Sequence, residues 1–196
     1  IVGITENGTA EPYIITKKDY GESGNILLTR KYLEDESCKF DIRGSNDYNG
    51  STLDCYIENI CAERFSPIVR SRLRRVKADQ ALHRKVFSLS YDEMMSMEYF
   101  KTNGKTAGRK NASGAGEYWT RSAYQSKYAY YVTSSGNYGY VSPNSFYGVR
   151  ASIVLPSDMI VKAASRGKEY SAELVESGMS MHVYSNGRWT EVKLAL

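Results

Sequence analysis

Apolar residues first gather in two short runs, Tyr13–Thr16 and Ile26–Thr29, on either side of the Gly21–Gly24 turn. Short apolar runs around a glycine turn predict a β-hairpin. Residues 35–50 (DESCKFDIRGSNDYNG) are polar and turn-rich and predict a loop. The period then changes. Ser51 stands as an N-cap, and Leu53, Ile57, Ile60, Phe65, Ile68 and Val69 follow, spaced mostly by three and four. That spacing predicts an amphipathic helix, broken near Ser66-Pro67 because proline lacks the N–H a helix interior needs. From Val69 to Lys77 the pattern alternates, with Arg70, Arg72 and Arg74 on one side. It reads as a strand with a solvated basic face; the sharper alternative is an anionic-ligand site.

Val86 to Leu89 predicts a short strand. Ser90, with Asp92 and Glu93 behind it, predicts a helix through about Phe100, since a serine cap and early acids suit the helix dipole. Residues 101–117 are rich in Gly, Asn, Lys and Ser and predict a loop. Tyr128–Thr133 and Tyr138–Val141 predict a hairpin across Ser134-Ser135-Gly136-Asn137, and Val149–Leu155 a further strand ending at Pro156. Residues 160–168 read as a linker. Met181–Tyr184 and Trp189–Leu194 flank Ser185-Asn186-Gly187-Arg188, a strong hairpin turn. The expected architecture is an α+β domain over 1–160, with a twisted antiparallel sheet and two helices, and a small β-hairpin appendage over 161–196.

A hydrophobic fraction of 41% with 24% charged residues is that of a globular protein. No apolar run approaches the roughly 20 residues that span a bilayer, so membrane insertion is not expected. A net charge of +4 is modest and does not argue for nucleic acid. Three cysteines, Cys38, Cys55 and Cys61, are too few and too odd a set for a disulfide framework and fit synthesis in a reducing cytoplasm.

One stretch stands apart. Tyr118 to Leu155 holds eight of the seventeen tyrosines, interleaved with Ser, Asn, Gly and Thr. A core does not want this mixture, because each buried phenol needs a hydrogen-bond partner. A recognition surface does, since Tyr offers rigid contact area and its small polar neighbours offer adaptable hydrogen bonds. Tyr124, Tyr128, Tyr130, Tyr138, Tyr140, Asn144, Phe146 and Tyr147 are the candidate ligand-binding residues. Trp119, Arg121, Gly148 and Arg150 are read as structural.

Catalytic and metal motifs are weak by comparison. Gly104-Lys105-Thr106 looks like the end of a phosphate loop, but Tyr99 stands where its first glycine belongs. Asp41, Asp47 and Asp54 lack calcium-loop spacing. Cys55 and Cys61 lie about 240° apart around a helix and cannot share a metal there. A Cys55 or Cys61 nucleophile with His83 has no local support. No catalytic residue, metal or cofactor is expected.

Several blocks together carry a resemblance: Ile26-Leu27-Leu28; Ser51-Thr52-Leu53; Val86-Phe87-Ser88-Leu89-Ser90 with Glu93-Met94; Tyr118-Trp119-Thr120-Arg121-Ser122; Tyr131-Val132 with Gly136; and Gly148 through Pro156. Over about residues 13–160 the chain resembles a domain family of unknown function from Gram-positive gut bacteria and their phages. That family looks like a C-type-lectin-like fold, related to sulfatase-modifying enzymes and to the variable proteins of diversity-generating retroelements. Two departures stand out: Tyr56-Ile57-Glu58 replaces a Trp-Leu-Asn-like triplet, and Ala151 replaces a proline after Arg150. The Glu-Pro-Asn triplet of calcium-dependent lectins is missing, and the catalytic cysteines of the sulfatase-modifying enzymes have no counterpart after residue 61. The resemblance thus implies binding rather than chemistry.

It implies a receptor-binding or adhesion module on a phage tail or virion, made in the bacterial cytoplasm, or alternatively a bacterial cell-surface protein. Its partners would be a host-surface receptor (glycan or protein), other virion or tail proteins, and further copies of itself in a homo-oligomer. A structural virion piece whose tyrosines form a subunit interface is the alternative, and a sulfatase-modifying-type enzyme the third reading.

Overall fold

The computed structural model describes residues 1–159, 161–175, 182–185 and 188–191; for residues 61, 62, 182–185 and 188–191 it describes the backbone. The chain begins with an antiparallel meander of β1 (Val2–Glu6), β2 (Thr9–Lys18) and β3 (Asn25–Arg30). Its second half is the predicted hairpin, with Ile14 opposite Thr29 and Ile15 opposite Leu28. A short β4 (Ser37–Lys39) lies inside the predicted loop. Then α1 (Thr52–Glu63) starts where Ser51 Oγ accepts the Asp54 N–H at 3.1 Å. The helix breaks as expected, and α2 (Pro67–Arg72) restarts with Ser66 capping Val69 N–H at 3.2 Å and Pro67 in the first turn.

The strand expected over Val69–Lys77 is corrected. Helix α2 runs through Arg72, and only β5 (Val76–Lys77) is extended, paired with β6 (His83–Arg84). A capped, proline-started turn favours helix, and Val69 and Leu73, four apart, are both buried. Beyond β7 (Val86–Phe87) the single helix expected after Ser90 is two, α3 (Tyr91–Ser96) and α4 (Glu98–Asn103). They meet at Met97, which turns extended (ψ 127°) and buries its side chain. Ser90 and Glu93 form a reciprocal cap: Ser90 Oγ accepts from Glu93 N at 3.1 Å, and Ser90 N donates to Glu93 Oε2 at 2.7 Å.

The predicted loop after α4 contains a minimal pair, β8 (Ala107–Gly108) and β9 (Ala115–Gly116). The tyrosine-rich region forms β10 (Tyr118–Tyr124), β11 (Tyr128–Val132), β12 (Tyr138–Val141) and β13 (Phe146–Gly148), followed by β14 (Ser152–Pro156). The chain continues through β15 (Val161–Ala163), β16 (Ala172–Leu174), β17 (His182–Ser185) and β18 (Arg188–Glu191). In place of a linker, β15 and β16 join the main sheet, where β16 runs parallel to β1. That sheet therefore continues past residue 160. Tyr184 stands opposite Trp189 in the β17–β18 hairpin; the Asn186-Gly187 turn lies outside the described residues.

The chain is an α+β protein. A seven-stranded sheet, ordered β15-β16-β1-β2-β3-β14-β7, sits beside a five-stranded sheet, β12-β11-β10-β13-β4. Strands β3 and β14 are buried along nearly their whole length. Their side chains alternate between two apolar layers. Ile26, Leu28, Ile153 and Leu155 pack with Leu53, Ile57, Ile60 and Val69 of α1 and α2. Leu27, Val154 and Phe87 pack with Met94, Met97 and Phe100 around α3 and α4. Strand β10 serves both layers, Trp119 facing the first and Tyr118 the second.

Candidate functional site

Register builds the site. Tyr130 stands opposite Tyr140 and Val132 opposite Tyr138 across β11 and β12, and Tyr124 stands opposite Tyr128 across β10 and β11. Directly opposed residues share a sheet face, and so do residues two apart. Tyr124, Tyr128, Tyr130, Tyr138 and Tyr140 are thereby brought to one face. Tyr91, the first residue of α3, completes it. Its ring lies 4.6 Å from Tyr130 and 4.4 Å from Tyr138. Tyr124 lies 4.9 Å from Tyr130 and stacks on Tyr140 at 4.1 Å, and Tyr128 follows at 5.7 Å. Six phenol rings thus run in unbroken contact.

The array grades from core to solvent. Tyr138 is half-buried, with its hydroxyl shut in and without a hydrogen-bond partner among the described residues; burial pushes this phenol well up. Lys105 Nζ sits 5.2 Å from its ring centre. At the other end Tyr128 is 38% and Tyr140 54% exposed. Tyr124 Oη accepts from Gln125 Nε2 at 3.3 Å. Among the described residues the hydroxyls of Tyr91, Tyr128, Tyr130 and Tyr140 have no hydrogen-bond partner.

Tyr91 and Tyr130 also wall a cleft of about 460 Å³, together with Asp79, Asp92, Arg121 and Ser122. Ser122 Oγ accepts the Tyr91 N–H at 2.9 Å and so fixes the start of α3 against β10. Arg121 is not free to meet a ligand's charge. Its Nη2 donates to Glu93 Oε1 at 2.8 Å, and its Nη1 donates to the Ser88 carbonyl at 2.7 Å and to the second Glu93 oxygen. Tyr20 donates to Glu93 as well. Burial pushes Glu93 up, but Arg121, Tyr20 and the Ser90 N–H outweigh it and hold the carboxyl below its ordinary range. The charges that face the cleft are therefore Asp79 and Asp92, both exposed.

Three of the eight expected face residues lie elsewhere. Strand β13 flanks β10 on the side away from β11, so its residues cannot join the array. Tyr147 packs on the first core layer, 4.8 Å from Trp119 and stacked on Tyr131 at 4.3 Å. Phe146 is 66% exposed under Lys39. The Asn144 amide, in the orientation that satisfies it, donates to the carbonyls of Ile42 and Asp41. Tyr91 was not legible as a site residue: after a serine cap it reads as ordinary helix surface.

The four residues read as structural are held by their surroundings. Trp119 Nε1 donates to the Cys38 carbonyl at 2.9 Å. Arg150 donates to the Arg30 carbonyl at 3.0 Å and to Tyr118 Oη at 3.1 Å. A Cβ on Gly148 would stand 2.8 Å from the Glu117 carbonyl oxygen and 2.9 Å from Leu33 Cδ1. Because one of those contacts is backbone, Gly148→Ala is expected to cost about 1–3 kcal/mol by overpacking. Urea unfolding checks this, and a loss below about 0.5 kcal/mol, the ordinary scale of a surface change, would contradict it.

Burial pushes the Cys38 thiol up to about 12, which disfavours the thiolate at neutral pH. Cys55 is exposed, and the side chains of Cys61 and His182 lie outside the described residues. Asp41 accepts from Arg43, Ser45 and Thr52, and Asp54 binds Arg84 at 2.7 Å. Among the described residues no three His, Cys, Asp or Glu side chains gather as a metal site, and no helix is long and apolar enough to cross a membrane.

No curated protein and no solved structure matches the chain. Residues 23–157, which span both helical layers, the cleft and all six tyrosines of the array, match the domain of unknown function DUF6273, and the chain belongs to that family.

Proposed function

We propose that this chain is a recognition module of C-type-lectin-like type, carried on a phage tail or virion, whose tyrosine array binds a host-surface ligand. The observation that carries the reading is the six-ring array, open at one end, with four phenol hydroxyls lacking a hydrogen-bond partner among the described residues. Stacked rings present edges and hydroxyls, which can donate to and accept from a sugar, and the outermost ring leaves a face for apolar contact. Several copies in a homo-oligomer would raise weak single-site affinity.

A second reading is a subunit interface, where tyrosine is also enriched. The exposed Phe146 and Ile42, the latter held by Asn144 through its carbonyl, favour such a contact at the β13–β4 end of the five-stranded sheet. The sulfatase-modifying reading needs a close pair of reactive cysteines, Cys55 with Cys61; the Cys61 side chain lies outside the described residues, and the remaining cysteine, Cys38, is buried with a raised thiol.

A glycan array probed with the wild type, Tyr130→Ala and Tyr140→Ala tests the first reading. Loss of an anchoring ring is expected to weaken binding at least about tenfold. Tyr140, being largely exposed, should leave thermal stability nearly unchanged. Unchanged binding by both variants would defeat the proposal. So would a particle image in which a neighbouring copy covers the array.

A further inference from the structure

Seven Lys and Arg residues, against the single acid Asp79, fall between residues 70 and 85. This segment alone carries more positive charge than the chain's net of +4, so the rest of the molecule is net acidic. Part of the charge is used internally. Arg84 pairs with Asp54 and Glu58, Arg72 donates to the Val175 carbonyl at 2.9 Å, and Lys85 donates to the Arg70 carbonyl at 2.7 Å. Arg74, Arg75 and Lys77 differ. All three are exposed, and their side chains have no ion-pair or hydrogen-bond partner among the described residues.

Their position matters more than their number. They sit on the turn from α2 into β5, where Lys77 stands opposite His83. The next two residues, Ala78 and Asp79, line the cleft beside Tyr91 and Tyr130. A free basic segment therefore leads into the wall of the aromatic site.

We infer that Arg74, Arg75 and Lys77 form an anion-binding strip continuous with the tyrosine cleft, and that the ligand class is a phosphate-bearing glycan. The inference rests on the tyrosine reading for the sugar contact and on the basic strip alone for the charge. Exposed cations without internal partners attract an anionic polymer through counterion release and field strength. Asp79 and Asp92 distinguish a glycan from a nucleic acid. Carboxylates beside the rings accept hydrogen bonds from sugar hydroxyls, whereas they repel a backbone with a phosphate at every residue.

The test uses the full chain with three probes: a phosphomannan, the same mannan after dephosphorylation, and a single-stranded oligodeoxythymidine. The phosphomannan is expected to bind at least about tenfold more tightly than the mannan at low salt, with an affinity that falls as salt is raised. The Arg75→Gln/Lys77→Gln variant should lose that tenfold preference and keep its binding of the neutral mannan. Arg74→Gln, a second surface change, should lose part of it. Tyr140→Ala should weaken both polymers; if it leaves both untouched while the basic variant loses the phosphate preference, the strip stands and the tyrosine reading falls. Equal binding of the two mannans, binding of neither, or tighter binding of the oligonucleotide overturns the inference.

Discussion

Replacing Trp119 by alanine is expected to lower the unfolding free energy by about 3–5 kcal/mol, a large share of the 5–15 kcal/mol typical of a whole domain. The indole is 1% exposed and is touched edge-on by Phe40 at 5.6 Å and Tyr147 at 4.8 Å. Its loss would open a cavity between the two sheets at the strand that carries Arg121 and Tyr124. It would also strand the Cys38 carbonyl, which the indole N–H satisfies. Trp119→Phe separates the two effects. It keeps most of the apolar volume and loses the hydrogen bond, so about 1–3 kcal/mol is expected from the unsatisfied acceptor and the residual void. Urea unfolding followed by far-ultraviolet circular dichroism measures both variants. A loss below about 1 kcal/mol for alanine would show that the layers close around the gap.

How much of this was legible in the sequence depends on how far apart the partners lie. The caps at Ser51 and Ser90 act within three residues, and α1 and α3 start where those caps predict, whereas α4 starts after Met97 without a side-chain cap and had no such local signal. The tyrosine face was half legible for the same reason. Period two in β11 and β12 places Tyr128, Tyr130, Tyr138 and Tyr140 together without any knowledge of the rest of the fold. Tyr147 was misplaced because the chain crosses β10 between β12 and β13, a step that no local pattern encodes. Tyr91 was missed because its rank in the array depends on Tyr130 and Tyr138, about forty residues on. The strand expected at Val69–Lys77 failed where two periods competed: alternating arginines argued for extension, and buried Val69 and Leu73 argued for helix. That Arg74, Arg75 and Lys77 lack partners among the described residues, while Arg72, Arg84 and Lys85 are occupied, is visible only in the fold.

Arg121→Leu is expected to cost about 3–5 kcal/mol at neutral pH, because it leaves the Glu93 charge half-enclosed without its main partner. Arg121→Leu/Glu93→Gln should recover part of that loss, since no uncompensated charge then remains. The pH dependence gives the sharper readout. In the wild type Glu93 is held below its ordinary value, so its contribution is present above the unfolded-state pKa of about 4.3 and is lost as pH falls through the lower folded value. Glu6 runs the other way. Burial raises it and outweighs Arg30 and the Tyr13 hydroxyl, so its contribution is present at acid pH and is lost as pH rises through the folded value. The two carboxyls oppose each other in the wild-type profile, and the variants separate them. The deficit of Arg121→Leu should be greatest near neutrality and should shrink as Glu93 takes up a proton, whereas Glu6→Gln should gain relative to the wild type as pH rises. A deficit for Arg121→Leu that stays constant from about pH 7 down to about pH 3, below the usual carboxylate range, would mean that the lost guanidinium acts by packing on Phe87 rather than through Glu93.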